Sequence, residues 1–293
     1  MRVLLIYNPT AGEEDVEPTG LVSLLREAGH AVDPLSINAE WEDALGGDFE
    51  LVAVAGGDGA VAEVLERLAG TGKVAALLPS GSANNIAKSL GYRADDSEEE
   101  LIRAFDDAKR VRFDLGLMSF EGGEHPFVES AGWGVFADVL VRAEAFDAEP
   151  GGDEKIELGL RLLREAAENA PARSCRVVAD GADLSGDYIA IEAANVALVS
   201  VNVPVAPAAH PGDGLLDLAL VGPDDRGKLV DYAIARLQDG SAPPLDFDVR
   251  GASRVELHIP PSSPLHVDDE LCGSAAERYS LSVGPGLEVL APS

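Results

Sequence analysis

Residues 56–59 read Gly-Gly-Asp-Gly, between an apolar run at 51–55 and apolar residues at helical spacing, Val61, Val64, Leu65 and Leu68. Residues without a Cβ let backbone pass close to a ligand. The start of the following helix brings unpaired N–H groups and the positive end of its dipole to the same point. Strand, glycine turn and helix start together make an anion site, most often for phosphate; an ordinary tight turn is the plainer alternative. Two more polar turns end apolar runs: Asn8-Pro9-Thr10-Ala11-Gly12 after residues 2–7, and Pro79-Ser80-Gly81-Ser82-Ala83-Asn84-Asn85 after residues 74–78. Near the other end, Asp268-Asp269-Glu270 follows a short strand. Crowded carboxylates repel, so one pKa rises or a cation sits among them. That suits a general base or a metal site, against the alternative of a solvated acidic turn.

Other motifs carry less. Gly70-Thr71-Gly72-Lys73 lacks the spacing of a Walker A loop. Gly132-Trp133-Gly134-Val135-Phe136-Ala137 fits a dinucleotide fingerprint but lies where strand–helix alternation has already ended. The five histidines, at 30, 125, 210, 258 and 266, have no metal-ligand spacing. No Ser-His-Asp or Cys-His set is legible.

The elements that must position these residues follow from periodicity. Strands are expected at 2–7, 31–37, 51–55, 74–78 and 111–115, with helices at 21–28, from 60, at 86–90 and at 98–107. Such alternation predicts a parallel sheet with helices on its faces. Ligands of such sheets sit outside the carboxyl ends of the strands, which is where all three polar turns fall. From about residue 120 short β segments dominate: 126–131, 174–180, 187–196, 215–221, 254–259, 278–283 and 287–290, interrupted by helices near 155–168 and 226–237. The expected organisation is an α/β domain over 1–118 and a mainly antiparallel β domain over 119–283. The last strands, about 284–293, have the option of returning to the first domain. Residues 144–154, rich in acid, Gly and Pro, are expected to form a mobile loop.

Composition removes several function classes. A net charge of −30 without a basic stripe argues against nucleic-acid binding and against a polybasic lipid anchor. No apolar run is long enough to span a bilayer, and the N-terminal residues read as a strand rather than a signal peptide. Two cysteines, Cys175 and Cys272, suggest neither a metal site nor a disulfide framework. The expected location is cytoplasmic, with room for transient contact with a membrane surface. The acidic surface would suit a salty medium, where screening shortens repulsion.

Taken in order, the motifs resemble those of the diacylglycerol kinase-like lipid kinases, a group that includes sphingosine and ceramide kinases and bacterial relatives. The resemblance rests on Asn8-Pro9 with Gly12, Gly56-Gly57-Asp58-Gly59 with Glu63-Val64, Leu78-Pro79-Ser80-Gly81-Ser82-Ala83-Asn84, and Phe113-Asp114-Leu115-Gly116. It continues through Ala206-Pro207-Ala208, Asp213-Gly214-Leu215-Leu216-Asp217 and the triplet at 268–270. It implies an N-terminal domain like that of NAD kinases and phosphofructokinases, a C-terminal β-sandwich, and an active site in the cleft. ATP, Mg²⁺ and a lipid substrate are implied with it. By that likeness Asn8, Pro9, Gly12, Gly56, Gly57, Asp58, Gly59, Gly81, Ser82 and Asn84 form the nucleotide site, with Asp58 acting on Mg²⁺ and phosphate or as a base. Asp268 resembles the aspartate that takes the lipid hydroxyl proton, with Glu270 near the metal. Asp114 would join the carboxylate–water network around Mg²⁺. Asp213 and the Leu215 carbonyl resemble a separate structural cation site.

The chain also departs from the pattern. Ala60 stands where the family has Thr, Asn85 where it has Asp, Asp269 where it has Gly, and Glu13, Glu14 and Asp15 where relatives carry a basic residue. Two readings follow: a lipid kinase acting on a diacylglycerol-like or sphingoid lipid, and a relative that binds nucleotide or lipid without transferring phosphate. A kinase of a soluble substrate would share the first domain but not the β-rich second half.

Overall fold

The computed structural model describes residues 1–9, 18–120, 123–146, 151–261, 263–272 and 278–292. The chain forms two compact units, Met1–Asp114 with Pro285–Ser293, and Leu115–Gly284.

The first unit alternates as its periodicity requires: β1 (Arg2–Tyr7), α1 (Pro18–Glu27), β2 (Ala31–Ser36), β3 (Leu51–Gly56), α2 (Asp58–Leu68), β4 (Val74–Pro79), α3 (Asn85–Ser89), α4 (Glu98–Ala104) and the start of β5 (Lys109–Phe120). With the end of the last strand, β17 (Arg278–Ala291), the sheet runs β17-β4-β3-β1-β2, every neighbour parallel. Residues 51–56 are buried throughout, as expected of a parallel strand covered on both faces. Leu21 and Leu25 of α1 and Ile102 of α4 pack on Val3, Leu5, Ala53 and Ala76. Val61, Val64, Leu65 and Leu68 of α2 are buried too. Ser97 and Glu100 form a capping box that starts α4.

In the second unit β6 (Gly123–Phe127) pairs with β5. Then come β7 (Ser130–Gly134), α5 (Val135–Ala143), α6 (Gly152–Asn169), β8 (Arg173–Ala179), β9 (Ala182–Asp183), β10 (Gly186–Tyr188) and β11 (Ala190–Ala194). They are followed by β12 (Leu216–Val221), α7 (Arg226–Asp239), β13 (Asp248–Ala252), β14 (Arg254–His258), β15 (Leu265–Val267) and β16 (Glu270–Cys272). One antiparallel layer is β10-β8-β14 with the first part of β17. The other is β13-β12-β11-β7-β15-β16, also antiparallel throughout. Val177, Val255, Leu257 and Leu281 of the first layer meet Trp133, Ile191, Leu218 and Leu265 of the second in one apolar core. On the far face of the second layer, Ala190, Ala194 and Val221 pack with Phe136 of α5, Leu163 of α6 and Tyr232 of α7. The unit is a sandwich with a helical layer over one sheet.

Several expected boundaries move. Helix α2 begins at Asp58, not at residue 60, and α5 was not expected at all. It starts where Gly134, at φ +95°, turns the chain out of β7. The segment 126–131 divides at Val128–Glu129, and 187–196 divides at Ile189. Segments 278–283 and 287–290 form one strand, because Gly284 and Gly286 remain extended instead of turning. Of the loop expected at 144–154, residues 152–154 are helical and 147–150 lie outside the described residues.

Candidate functional site

The carboxyl ends of β1, β3 and β4 lie side by side, with Tyr7 opposite Ala55 and Gly56 opposite Pro79. Their three turns are knit by backbone. The Asn8 N–H donates to the Ala55 carbonyl at 2.9 Å, and the Ser80 N–H to the Gly56 carbonyl at 3.0 Å. The second and third turns touch directly: a Cβ on Gly81 would lie 2.4 Å from the Gly57 Cα. A Cβ on Gly56 would lie 2.7 Å from the Ala60 Cβ. Only glycine fits these approaches. Gly57 is the N-cap of α2 and supplies no side chain, so the leading N–H groups of that helix remain for an anion.

Asp58 sits in the first turn of α2. Its Oδ1 accepts the Ile86 N–H at 3.0 Å, at the start of α3. Burial pushes this carboxyl above its ordinary range, against the lowering pull of the Ile86 and Asn85 N–H groups and the Lys88 charge. Asn84 adopts the left-handed conformation at φ +50°. Its amide closes the third turn, accepting from the Gly81 N–H at 3.0 Å and donating to the Gly81 carbonyl at 2.6 Å. Asn85, which stands where the family has Asp, is buried. Pro9 and Ser82 are half-buried at the same sheet edge, and Gly59 is exposed on α2. Gly12 lies outside the described residues, with Glu13, Glu14 and Asp15.

The second unit holds a different centre. Asp268 follows β15 in the left-handed conformation, φ +50°. Asp269, which stands where the family has Gly, is not in that conformation. The Asp268 carboxylate accepts three consecutive backbone N–H groups: Val128 at 2.9 Å, Glu129 at 2.7 Å and Ser130 at 3.1 Å. Burial nonetheless raises it to about 6, and Asp269 adds to the rise while the three N–H groups oppose it. Asp269 and Glu270 are exposed. Beneath this turn, His266 Nδ1 lies 2.9 Å from the Asp268 carbonyl oxygen, and His266 Nε2 lies 3.0 Å from Glu192 Oε1. Both side chains are buried. Burial alone would lower the imidazole pKa; the Glu192 charge and the Asp268 carbonyl outweigh it and raise the value.

Asp114 is buried and forms an ion pair with Arg112 at 2.5 Å. Its carboxylate packs where a Cβ on Gly286 would stand, 2.3 Å from Oδ1. Asp213 and Leu215 do share one turn, in which Asp213 Oδ1 accepts the Leu215 N–H at 2.9 Å and Gly214 has φ +80°. Burial and the Asp213 charge raise the pKa of Asp217 nearby. Among the described residues no group of three or more His, Cys, Asp or Glu side chains is placed to hold a metal.

Sequence reading missed Glu192, His266 and the amides of 128–130. One signal was available: Glu192 is a lone charge inside an apolar run, and a strand buried on both faces does not carry one idly.

The comparisons agree with this architecture. A model of the diacylglycerol kinase catalytic domain matches residues 2–118, and one of the YegS C-terminal NAD kinase beta sandwich-like domain matches residues 130–291. A Pseudomonas aeruginosa protein named "Probable lipid kinase YegS-like" is 28% identical over 75% of this chain and 71% of its own length. A Pseudomonas putida protein of the same name is 27% identical over 90% and 96%. A Bacillus anthracis protein of known structure, provisionally assigned as a diacylglycerol kinase, shares the fold at a TM-score of 0.73. It is 20% identical, over 99% of this chain and 97% of that one. The chain belongs to the diacylglycerol kinase-like lipid kinase family.

Proposed function

We propose that this protein is an ATP-dependent lipid kinase that transfers the γ-phosphate to a hydroxyl of a diacylglycerol-like or sphingoid lipid. The observation that carries the reading is Asp268, a partly buried carboxylate raised to about 6 and held by three backbone N–H groups. A base of that strength is unprotonated at neutral pH and still able to take a proton. The glycine turns supply the complementary part, since turns packed too closely for a Cβ, at a helix start, bring bare backbone N–H groups to one point, which fits phosphate. Phosphoryl transfer asks mainly for positioning and charge stabilisation. In this reading the turns bind and orient phosphate, and Asp268 accepts the acceptor hydroxyl's proton at its carboxylate. Asp58 would hold Mg²⁺, which would neutralise phosphate charge there. The ion takes few protein ligands besides phosphate oxygens and water, which Asp58 at the turn suits. Relatives named as lipid kinases support the lipid class. Incubation with labelled ATP, Mg²⁺ and a panel of lipids in mixed micelles tests it. Transfer lost by about 10²–10⁴-fold in Asp268→Asn is expected, and absence of transfer at every salt concentration, with the fold verified, overturns it.

A second reading, nucleotide or lipid binding without transfer, is favoured by the Arg112–Asp114 ion pair and by Ala60 packed at Gly56. The double variant Ala60→Thr, Asn85→Asp discriminates. A silent parent with an active variant supports this second reading, and full activity in the parent removes it.

A further inference from the structure

Glu192 of β11, Gly132 of β7 and His266 of β15 stand in one register row across three adjacent strands. Directly opposed residues share a face, so a side chain at the middle position would part the outer two. Position 132 has none, and a Cβ there would lie 2.2 Å from Glu192 Oε2. Over that gap both Glu192 oxygens come within 3.1 Å of His266 Nε2. The other ring nitrogen lies 2.9 Å from the Asp268 carbonyl oxygen. A carbonyl only accepts, so Nδ1 carries a proton, and the Nε2–Glu192 contact holds one more between its two partners. The imidazole is bound at both ends.

What it touches is the strained residue of the site. A non-glycine residue at φ +50° persists where its surroundings hold it. Asp268 is held three ways. Its N–H donates to the Ser130 carbonyl at 2.8 Å, its carboxylate takes the amides of 128–130, and its carbonyl takes His266 Nδ1–H. Buried ion pairs are poor sources of stability, and apolar replacements of like volume are often neutral or better. A pair built over a glycine gap and ending on one carbonyl specifies one backbone geometry instead.

We propose that Glu192 and His266 are a positioning pair that fixes the Asp268 turn and thereby aims the Asp268 carboxylate into its cradle of amides. The catalytic consequence rests on Asp268 being the base; the positioning itself does not. Asparagine places its amide nitrogen near where histidine has Nδ1, so His266→Asn keeps the donor to Asp268, whereas His266→Leu removes it. In the micelle assay His266→Leu is expected to lower kcat about 10–100-fold with KM for ATP changed less than about twofold, and His266→Asn to recover most of the loss. Hydrogen exchange of peptides covering residues 126–131 gives a readout independent of activity. Their amides should exchange about tenfold faster in His266→Leu, and near the wild-type rate in His266→Asn, with β3 unchanged in both. Wild-type exchange at 126–131 in His266→Leu overturns the proposal, as does faster exchange spread evenly over β7, β11 and β12. Should His266→Leu fail to fold, Glu192→Leu, which strips Nε2 of its partner, is held to the same exchange criterion. If Asp268→Asn keeps full activity, the catalytic reading of Asp268 fails while the exchange data still decide the positioning.

Discussion

At the scale of single residues, Asp268 is pulled two ways: burial disfavours its charge while three N–H groups favour it. Burial prevails, so the carboxyl titrates near 6 against about 3.9 in an unfolded chain. A raised carboxyl contributes stability that is full below about pH 4 and is lost as pH rises through about 6. If Asp268 is the base, activity runs the opposite way, because it must first lose its proton. The kcat for lipid phosphorylation should therefore rise between about pH 5 and pH 7 with a midpoint near 6. A profile flat across that window would count against Asp268 as base. Gly81 makes the complementary case for backbone. In Gly81→Ala the new Cβ meets the Gly57 Cα at 2.4 Å. Backbone cannot swing aside, so a loss of about 1–3 kcal/mol in urea unfolding and weaker ATP binding are expected. An unfolding midpoint equal to wild type would show that the two turns are not in contact.

Elements set where those residues stand. The hydroxyl of Tyr92, buried after α3, donates to the Leu290 carbonyl of β17 at 2.7 Å. Burial raises the phenol to about 12, so it remains a donor at any working pH. Tyr92→Phe strands a buried acceptor and should cost about 1–3 kcal/mol by denaturant unfolding; a change within experimental error would mean water takes over that carbonyl. Helix α4 offers a smaller, local test. Ser97→Ala removes one half of its capping box and should cost about 1 kcal/mol, leaving phosphoryl transfer untouched. Elements of this kind were largely legible, because apolar period and capping chemistry are local. Helix α5 was not: its apolar residues follow Gly132 and Gly134 closely enough to pass for a strand edge. Nor was the continuity of β17, where Gly284, Pro285 and Gly286 read as a turn and pairing keeps them extended.

For the whole molecule, charge is the dominant global term. At −30 the chain repels itself and any polyanion, with a reach of about 10 Å in 0.1 M salt and about 3 Å in 1 M. The melting temperature should rise steadily with NaCl over that range, and the on-rate for ATP should rise with it. A melting temperature that is flat in NaCl would mean the surface charges are already neutralised by one another. No helix among the described residues is long and apolar enough to cross a membrane. If a lipid is the substrate, added salt should favour turnover on anionic micelles more than on neutral ones, because it screens this charge.

Local chemistry by itself determined the parallel α/β half, the β-rich half and the three polar turns at one sheet edge. Each rests on residues near one another in the chain: a period, a glycine, a helix start. It also singled out Asp268 and Asp58, since acids beside glycine turns and short strands are visible without coordinates. Only the tertiary structure decided what holds those acids. The amides of 128–130 reach Asp268 across about 140 positions, and Glu192 meets His266 across 74 because Gly132 stands between them without a side chain. Register fixes such a row, and a slip of one residue in either outer strand would turn its member to the other face. The left-handed turn at Asp268 is likewise an outcome of packing that no local pattern encodes, whereas the Arg112–Asp114 pair joins residues two apart on one face of one strand.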